Sequence, residues 1–254
     1  ILPYAEDKAL HGLIDFDAED TVNQRVVPGD PNSAFISEFI VSMYICPSEP
    51  GERVIYNDAG QGFAQFNYSG SNGSTQRVNG GNSPPGLCRA MNEYNRSIDE
   101  TRHLPIDDPA KLPSRARWET QHIYSGVFTR FANPIKLKKI KDGMSKTIFF
   151  GEVSPSCSAH ARGGWLRSNN GVGLITTAVP INYDTCGPDA FSDDVEACHS
   201  ARNWTTELGF KSHHNGGAHF VFGDNSAHFL SDDIDRAVYQ KLGAKADGLV
   251  VGEY

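Results

Sequence analysis

The chain is poor in cysteine and arranges none of it in a metal-binding spacing. Cys46, Cys88, Cys157, Cys186 and Cys198 are scattered through 254 residues without a Cys-x-x-Cys pair, so spacing predicts no zinc ribbon or finger. Long hydrophobic runs are missing as well. Nothing approaches the roughly 18 consecutive apolar residues of a bilayer-crossing helix, and no signal peptide is visible. Positive charge is in the minority, with 23 Lys and Arg against 31 Asp and Glu for a net charge of −8. Without a basic stripe, a nucleic-acid partner is not expected. The one basic cluster, Lys136 to Lys141, alternates as a charged edge strand would. Catalytic signatures are absent too: there is no Gly-x-Ser-x-Gly, no His-Glu-x-x-His, no phosphate-cradling Gly-Lys-Ser/Thr and no dinucleotide fingerprint. The sequence therefore predicts no cofactor and no catalytic residue, and an enzyme is not the expectation.

Turn-forming residues are plentiful. With 25 Gly, 14 Pro and 39% hydrophobic residues, the composition describes a loop-rich globular chain with short helices. Its length suits a single domain over residues 1–254 with a sizeable core. Residues 4–16 pattern as a helix with Leu10, Leu13 and Ile14 on one side, and Ala34 to Val41 as a second short helix. Strands are predicted from Arg53 onward: Gly62 to Tyr68, Tyr124 to Phe131, Ile135 to Ile140, Thr147 to Val153, and within Gly171 to Ile181. The polar stretch 69–117 is expected to be a surface loop insertion. Asp232-Asp233-Ile234-Asp235 opens a last helix, with Ala237, Val238 and Leu242 on its apolar side. Strands do not alternate with long helices, so the expected fold class is α+β: a mainly antiparallel sheet, short flanking helices and long loops.

The most informative stretch runs from His213 to Leu230. It reads as two aromatic-rich strands around an Asp224-Asn225 turn, both residues being tolerant of left-handed backbone. A two-residue loop would place Phe222 opposite Ala227 and Phe220 opposite Phe229, with His219, Val221, His228 and Leu230 on the other face. The bland reading is a core hairpin whose turn recruits Asp for backbone reasons. The sharper one is a metal site drawn from His214, Asp224, Asp232, Asp233 and Asp235. The acid clusters Asp193-Asp194-Glu196 and Asp232-Asp233-Asp235 are the candidates for Ca²⁺, although neither has the EF-hand spacing. Cys186 and Cys198 bracket a turn-rich loop and are the first disulfide candidate, with Cys46 and Cys88 the second. Scattered cysteines in an acidic, loop-rich chain point to an oxidising compartment.

Several short segments, taken in order, carry a resemblance. They are Leu2-Pro3-Tyr4, Cys46-Pro47-Ser48-Glu49-Pro50, Asn67-Tyr68-Ser69-Gly70, Gly126-Val127-Phe128, Ile140 to Ile148, Gly151-Glu152, His214 to Asp224 with Ser226 and Phe229, and Leu242-Gly243 to Asp247-Gly248. Together they resemble the large prepilin-like family of unknown function abundant in planctomycete bacteria, whose C-terminal signature is His, nine residues, then Asp-Gly. Here His214 and Asp224 match and Asn225 replaces the glycine. Asn is the next-best residue for a left-handed turn position, so the hairpin is expected to survive and a structural role for the motif is favoured.

The resemblance implies the head of a type IV pilin-like or type II pseudopilin-like protein. Such a protein has a cleavable leader and a long apolar helix, here expected upstream of Ile1, as its only membrane segment. Its place would be extracytoplasmic: periplasm, cell surface or filament. Its role would be structural or surface display, with itself or other pilin-like subunits as partners. Two other functions are weighed against this. A solute- or carbohydrate-binding module would use exposed aromatics, with Trp118, Trp165, Trp204, Tyr94 and Tyr183 as the glycan candidates. A metal-dependent hydrolase would centre on His214 and Asp224.

Overall fold

The alternating residues of Gly217–Phe222 form one of the inner strands of the structure, and the remaining sheet is assembled around them. The computed structural model describes residues 2–5, 7–18, 22–74, 125–128, 135–167, 174–193, 197–203 and 205–254. In chain order the strands are β1 (Val54–Tyr56), β2 (Gly62–Ala64), β3 (Tyr68–Ser71), β4 (Ile148–Glu152), β5 (Leu174–Ile175), β6 (Gly217–Phe222) and β7 (Ala227–Ser231). β1 and β2 form a separate antiparallel pair. The other five make one sheet in the order β5-β3-β4-β6-β7, antiparallel throughout except for the parallel β5–β3 edge. The fold is α+β and mainly β, as the sequence predicts.

Among the described residues, two α-helices flank the strands: α1 (Lys8–Leu13) and α2 (Arg236–Gly243). α2 begins where the acidic run predicts. The Asp235 side chain accepts a hydrogen bond from the Val238 N–H and so satisfies one of the free donors of the first turn. Its Tyr239 and Leu242 are fully buried against a core that includes Phe66, Ile148, Phe210, Phe220, Phe222 and Leu230. A second, smaller cluster forms from Leu2, Leu10, Ile14, Ile36 and Val41 near the N-terminus, and Tyr44 and Trp165 pack against both clusters. Among the described residues, no helix is long and apolar enough to cross a membrane.

The hairpin exists, but its register differs from the expected one by a residue. Val221, not Phe222, stands opposite Ala227, and His219 stands opposite Phe229. The loop has three residues, Gly223 to Asn225: the Asn225 N–H donates to the Phe222 carbonyl, and Asn225 itself takes the left-handed conformation at φ 68°. Strand side chains alternate between faces, so the shift inverts the β7 faces. Leu230 is buried with Ala218 and Phe220, Phe229 is exposed, and His219 and His228 lie on opposite faces of the sheet.

Other expected elements shorten or change type. Residues 34–41 supply one 3₁₀ turn, Ile36–Glu38, because Arg25 and Phe35 form a bridge and the Ile36 N–H is taken by the Gln24 carbonyl. The basic run is no edge strand: Leu137–Lys139 is a 3₁₀ turn, and the Lys141 N–H goes to the Lys245 carbonyl. Of the expected strand over residues 124–131, residues 125–128 bond to β3 and the residue after it, through Gly126 N–H to the Asn72 carbonyl and Phe128 N–H to the Ser71 carbonyl, and residues 124 and 129–131 lie outside the described ones. Of the expected 69–117 insertion, Ser69 to Ser71 belong instead to β3 and Ser74 is buried, while residues 75–117 lie outside the described ones.

The expected disulfides are re-paired. Cys186 is bonded to Cys157, not Cys198, and Cys198 is a disulfide cysteine in its own right. Proximity in the fold overrides proximity in sequence here: Thr185 Oγ1 donates to the Cys157 carbonyl at 2.8 Å, which holds the 186 loop against the turn that follows β4. Cys46, expected as a partner of Cys88, is instead a buried free thiol.

Candidate functional site

The site begins with the alternation of β4. Gly151 faces the core, where a Cβ would come within 2.6 Å of the Phe210 ring and 2.7 Å of the Phe220 ring. Only glycine fits beneath that pair of edge-to-face rings, and its neighbour Glu152 therefore points to the opposite face of the sheet. Tyr68 of β3 stands directly across from Glu152. From β6, the His219 N–H donates to Glu152 Oε2 at 2.7 Å, and His219 Nδ1 lies 3.3 Å from the same oxygen. A polar row of Tyr68, Glu152 and His219 thus crosses the face away from the phenylalanine core.

Glu152 is a buried carboxylate, its side chain 4% exposed, and such a charge needs partners. Its second oxygen finds them in segments far away in sequence. Oε1 lies 3.1 Å from His214 Nε2 and 3.7 Å from Cys46 Sγ, and the last two atoms are 3.5 Å apart. Thiol, carboxylate and imidazole therefore meet at one point, the one group of potential metal ligands found among the described residues.

Each of the three is held from behind. The Cys46 N–H donates to Asn67 Oδ1, and Asn67 Nδ2 in turn donates to Glu49 Oε2 and to the Val153 carbonyl. The Lys211 N–H fixes the Glu152 carbonyl. The His214 N–H donates to Ser212 Oγ, and its ring packs edge-on against His219. The Tyr68 phenol has its pKa pushed up to about 12, first by burial and then by the neighbouring Cys46 and Glu152. It therefore remains a neutral O–H donor at physiological pH. His213 turns away from its neighbour: its Nε2 lies 3.1 Å from Ser154 Oγ, 3.3 Å from Ser156 Oγ and 3.6 Å from Glu49 Oε2.

The remaining predicted site residues do other work. Asp224 sits at the hairpin tip, at the opposite end of β6 from His214, and accepts hydrogen bonds from the Ser226 N–H and hydroxyl. Those bonds lower its pKa. Asp235 caps α2, and neither it, Asp232 nor Asp233 joins a ligand group among the described residues. Asp193 pairs with Arg202 at the surface, while Asp194 and Glu196 lie outside the described residues. Of the glycan candidates, Trp165 donates its indole N–H to the Phe39 carbonyl and packs on Tyr44, and Tyr183 stacks on His199. Trp118, Trp204 and Tyr94 are outside the described residues.

A family model described as "Protein of unknown function (DUF1559)" matches residues 1–237. The chain belongs to the DUF1559 family. No curated protein and no solved structure matches it. In this DUF1559 domain the sequence alone gave His214 as a candidate ligand but passed over Cys46 and Glu152. Both lie in segments that carried the family resemblance, Cys46-Pro47-Ser48-Glu49-Pro50 and Gly151-Glu152. The available signal was chemical: three resemblance segments each contribute one residue able to ligate a metal. Spacing carried none of it, because the three residues are separated by 106 and 62 positions.

Proposed function

We propose that this domain is the extracytoplasmic, non-enzymatic head of a prepilin-like protein, with a structural or surface-display role and with copies of itself or related subunits as partners. The observation that carries this reading is the fate of the C-terminal signature. Its aspartate is bound to Ser226 in a turn, while its histidine lies at the other end of β6. Six residues of strand, about 20 Å, separate the two. A His/Asp pair so divided cannot act on one substrate atom, which removes the support for a hydrolase centred on it.

Two further features support the proposal. The Cys157–Cys186 disulfide favours an oxidising compartment. Large apolar side chains at the surface of the N-terminal part, among them Tyr4, Phe16, Ile40 and Met43, suit association with a neighbouring helix or subunit. The test is to fractionate cells making the native full-length protein, treat them intact with protease, and image the envelope and shed material by electron microscopy. The expected result is a protease-accessible, oxidised head in self-associated form. A reduced, protease-protected protein confined to the cytoplasm would end the proposal.

A further inference from the structure

We propose that Cys46, Glu152 and His214 bind one zinc ion, with the fourth coordination position left open to water or to a donor from a partner. The first argument is metrical. Zinc bonds of about 2.3 Å to thiolate, about 2.0 Å to imidazole and about 2.1 Å to carboxylate, set at tetrahedral angles, place the donor atoms about 3.5 Å (S to N), about 3.6 Å (S to O) and about 3.3 Å (N to O) apart. The three separations in the protein are 3.5, 3.7 and 3.1 Å. An ion fits between them with shifts of a few tenths of an ångström.

The second argument is charge. Zinc would take up the Cys46 sulfur as thiolate, and that thiolate with the Glu152 carboxylate, 7% and 3% exposed as residues, would match its two positive charges. A neutral imidazole completes the set without adding charge. The third argument is preorganisation. Glu152 offers only Oε1, because Oε2 is held by His219, and those His219 contacts are the outer-shell interactions that orient a metal donor. The site opens to solvent where His214 and Tyr68 reach the surface, with the His214 side chain 28% exposed. The donor set selects the ion: calcium and magnesium take six or more oxygen ligands, whereas a mixture of sulfur, nitrogen and oxygen suits zinc.

The test uses the purified full chain with its disulfides intact. Metal is stripped by a chelator and zinc chloride is returned, with cobalt chloride as the spectroscopic probe. Three results are expected: one zinc per chain with a raised melting temperature, a thiolate-to-cobalt charge-transfer band, and zinc-dependent protection of Cys46 from alkylation in the wild-type protein. Cys46→Ser and Glu152→Gln should weaken zinc binding by more than the roughly 10- to 100-fold expected for His219→Ala, and only Cys46→Ser should abolish the band. Asp224→Ala, at the far end of the hairpin, should bind zinc as the wild type does. The inference is overturned if the folded wild-type chain takes up no zinc and Cys46 alkylates at the same rate with and without it, the three groups then forming only a hydrogen-bonded ring. It is overturned equally if Cys46→Ser binds zinc undiminished. Because binding is read in solution, the outcome is independent of where the domain is displayed in the cell.

Discussion

At the residue scale, Asn225 shows how a turn position constrains chemistry. It holds φ 68°, a conformation that glycine adopts freely, asparagine tolerates and β-branched residues resist. Asn225→Gly should leave stability within about 1 kcal/mol of wild type, the entropy cost of glycine offsetting the relief of strain. Asn225→Val should lose roughly 1–2 kcal/mol; the midpoints of urea unfolding separate the two outcomes. Lys211 makes a different point. It is 1% exposed, and burial lowers its pKa from 10.5 to about 7 against the opposing pull of Glu207 and Asp184. Below about pH 7 the ammonium is charged in both folded and unfolded chains, and its burial opposes folding in full. Between about 7 and 10.5 the unfolded chain holds a proton that the folded one has released. Stability should therefore rise with pH across that window, by at most about 1.4 kcal/mol per unit. Lys211→Met should remove that part of the slope, and equal slopes in the two proteins from pH 7 to pH 9 would refute the assignment.

At the element scale, β4 links core and site through simple alternation. Gly151 lets the Phe210 and Phe220 rings close over the strand, and this sends Glu152 to the opposite face. A methyl group at 151 has nowhere to go. Gly151→Ala should cost roughly 1–3 kcal/mol, the usual range for overpacking, measurable as a lower midpoint of chemical unfolding. If Gly151→Ala unfolds at the wild-type midpoint, the rings are not as tightly seated as the distances indicate. The hairpin carries the complementary lesson. The sequence pointed to the two strands and their Asp-Asn turn, but one extra loop residue decides which face each β7 side chain takes. Loop length depends on how Gly223 and Asn225 are used: the Gly223 N–H donates to the Thr147 carbonyl, a contact made by the residue just before β4 and invisible in the local pattern. α2 needed no such context. An acidic cap and an apolar stripe at helical spacing are local properties, and Asp235 and Leu242 behave as they predict.

At the scale of the whole molecule, the covalent and polar cross-links join segments far apart in sequence. The Cys157–Cys186 bond closes a loop of 29 residues, for which chain-entropy arguments give about 3.5 kcal/mol. The paired substitution Cys157→Ser with Cys186→Ser should lower unfolding stability by about that amount; a loss under about 1 kcal/mol would mean that the folded chain gains little from the staple. The sequence by itself determined the loop-rich α+β class, the net negative charge, the last helix and the turn at Asp224, because each depends on chain totals or on residues within a few positions of one another. The strand order, the disulfide partners and the meeting of Cys46 with Glu152 and His214 were settled only when the sheet closed. Those contacts span 29 to 168 positions, and over such separations no local periodicity or spacing records which side chains the fold will bring within bonding distance.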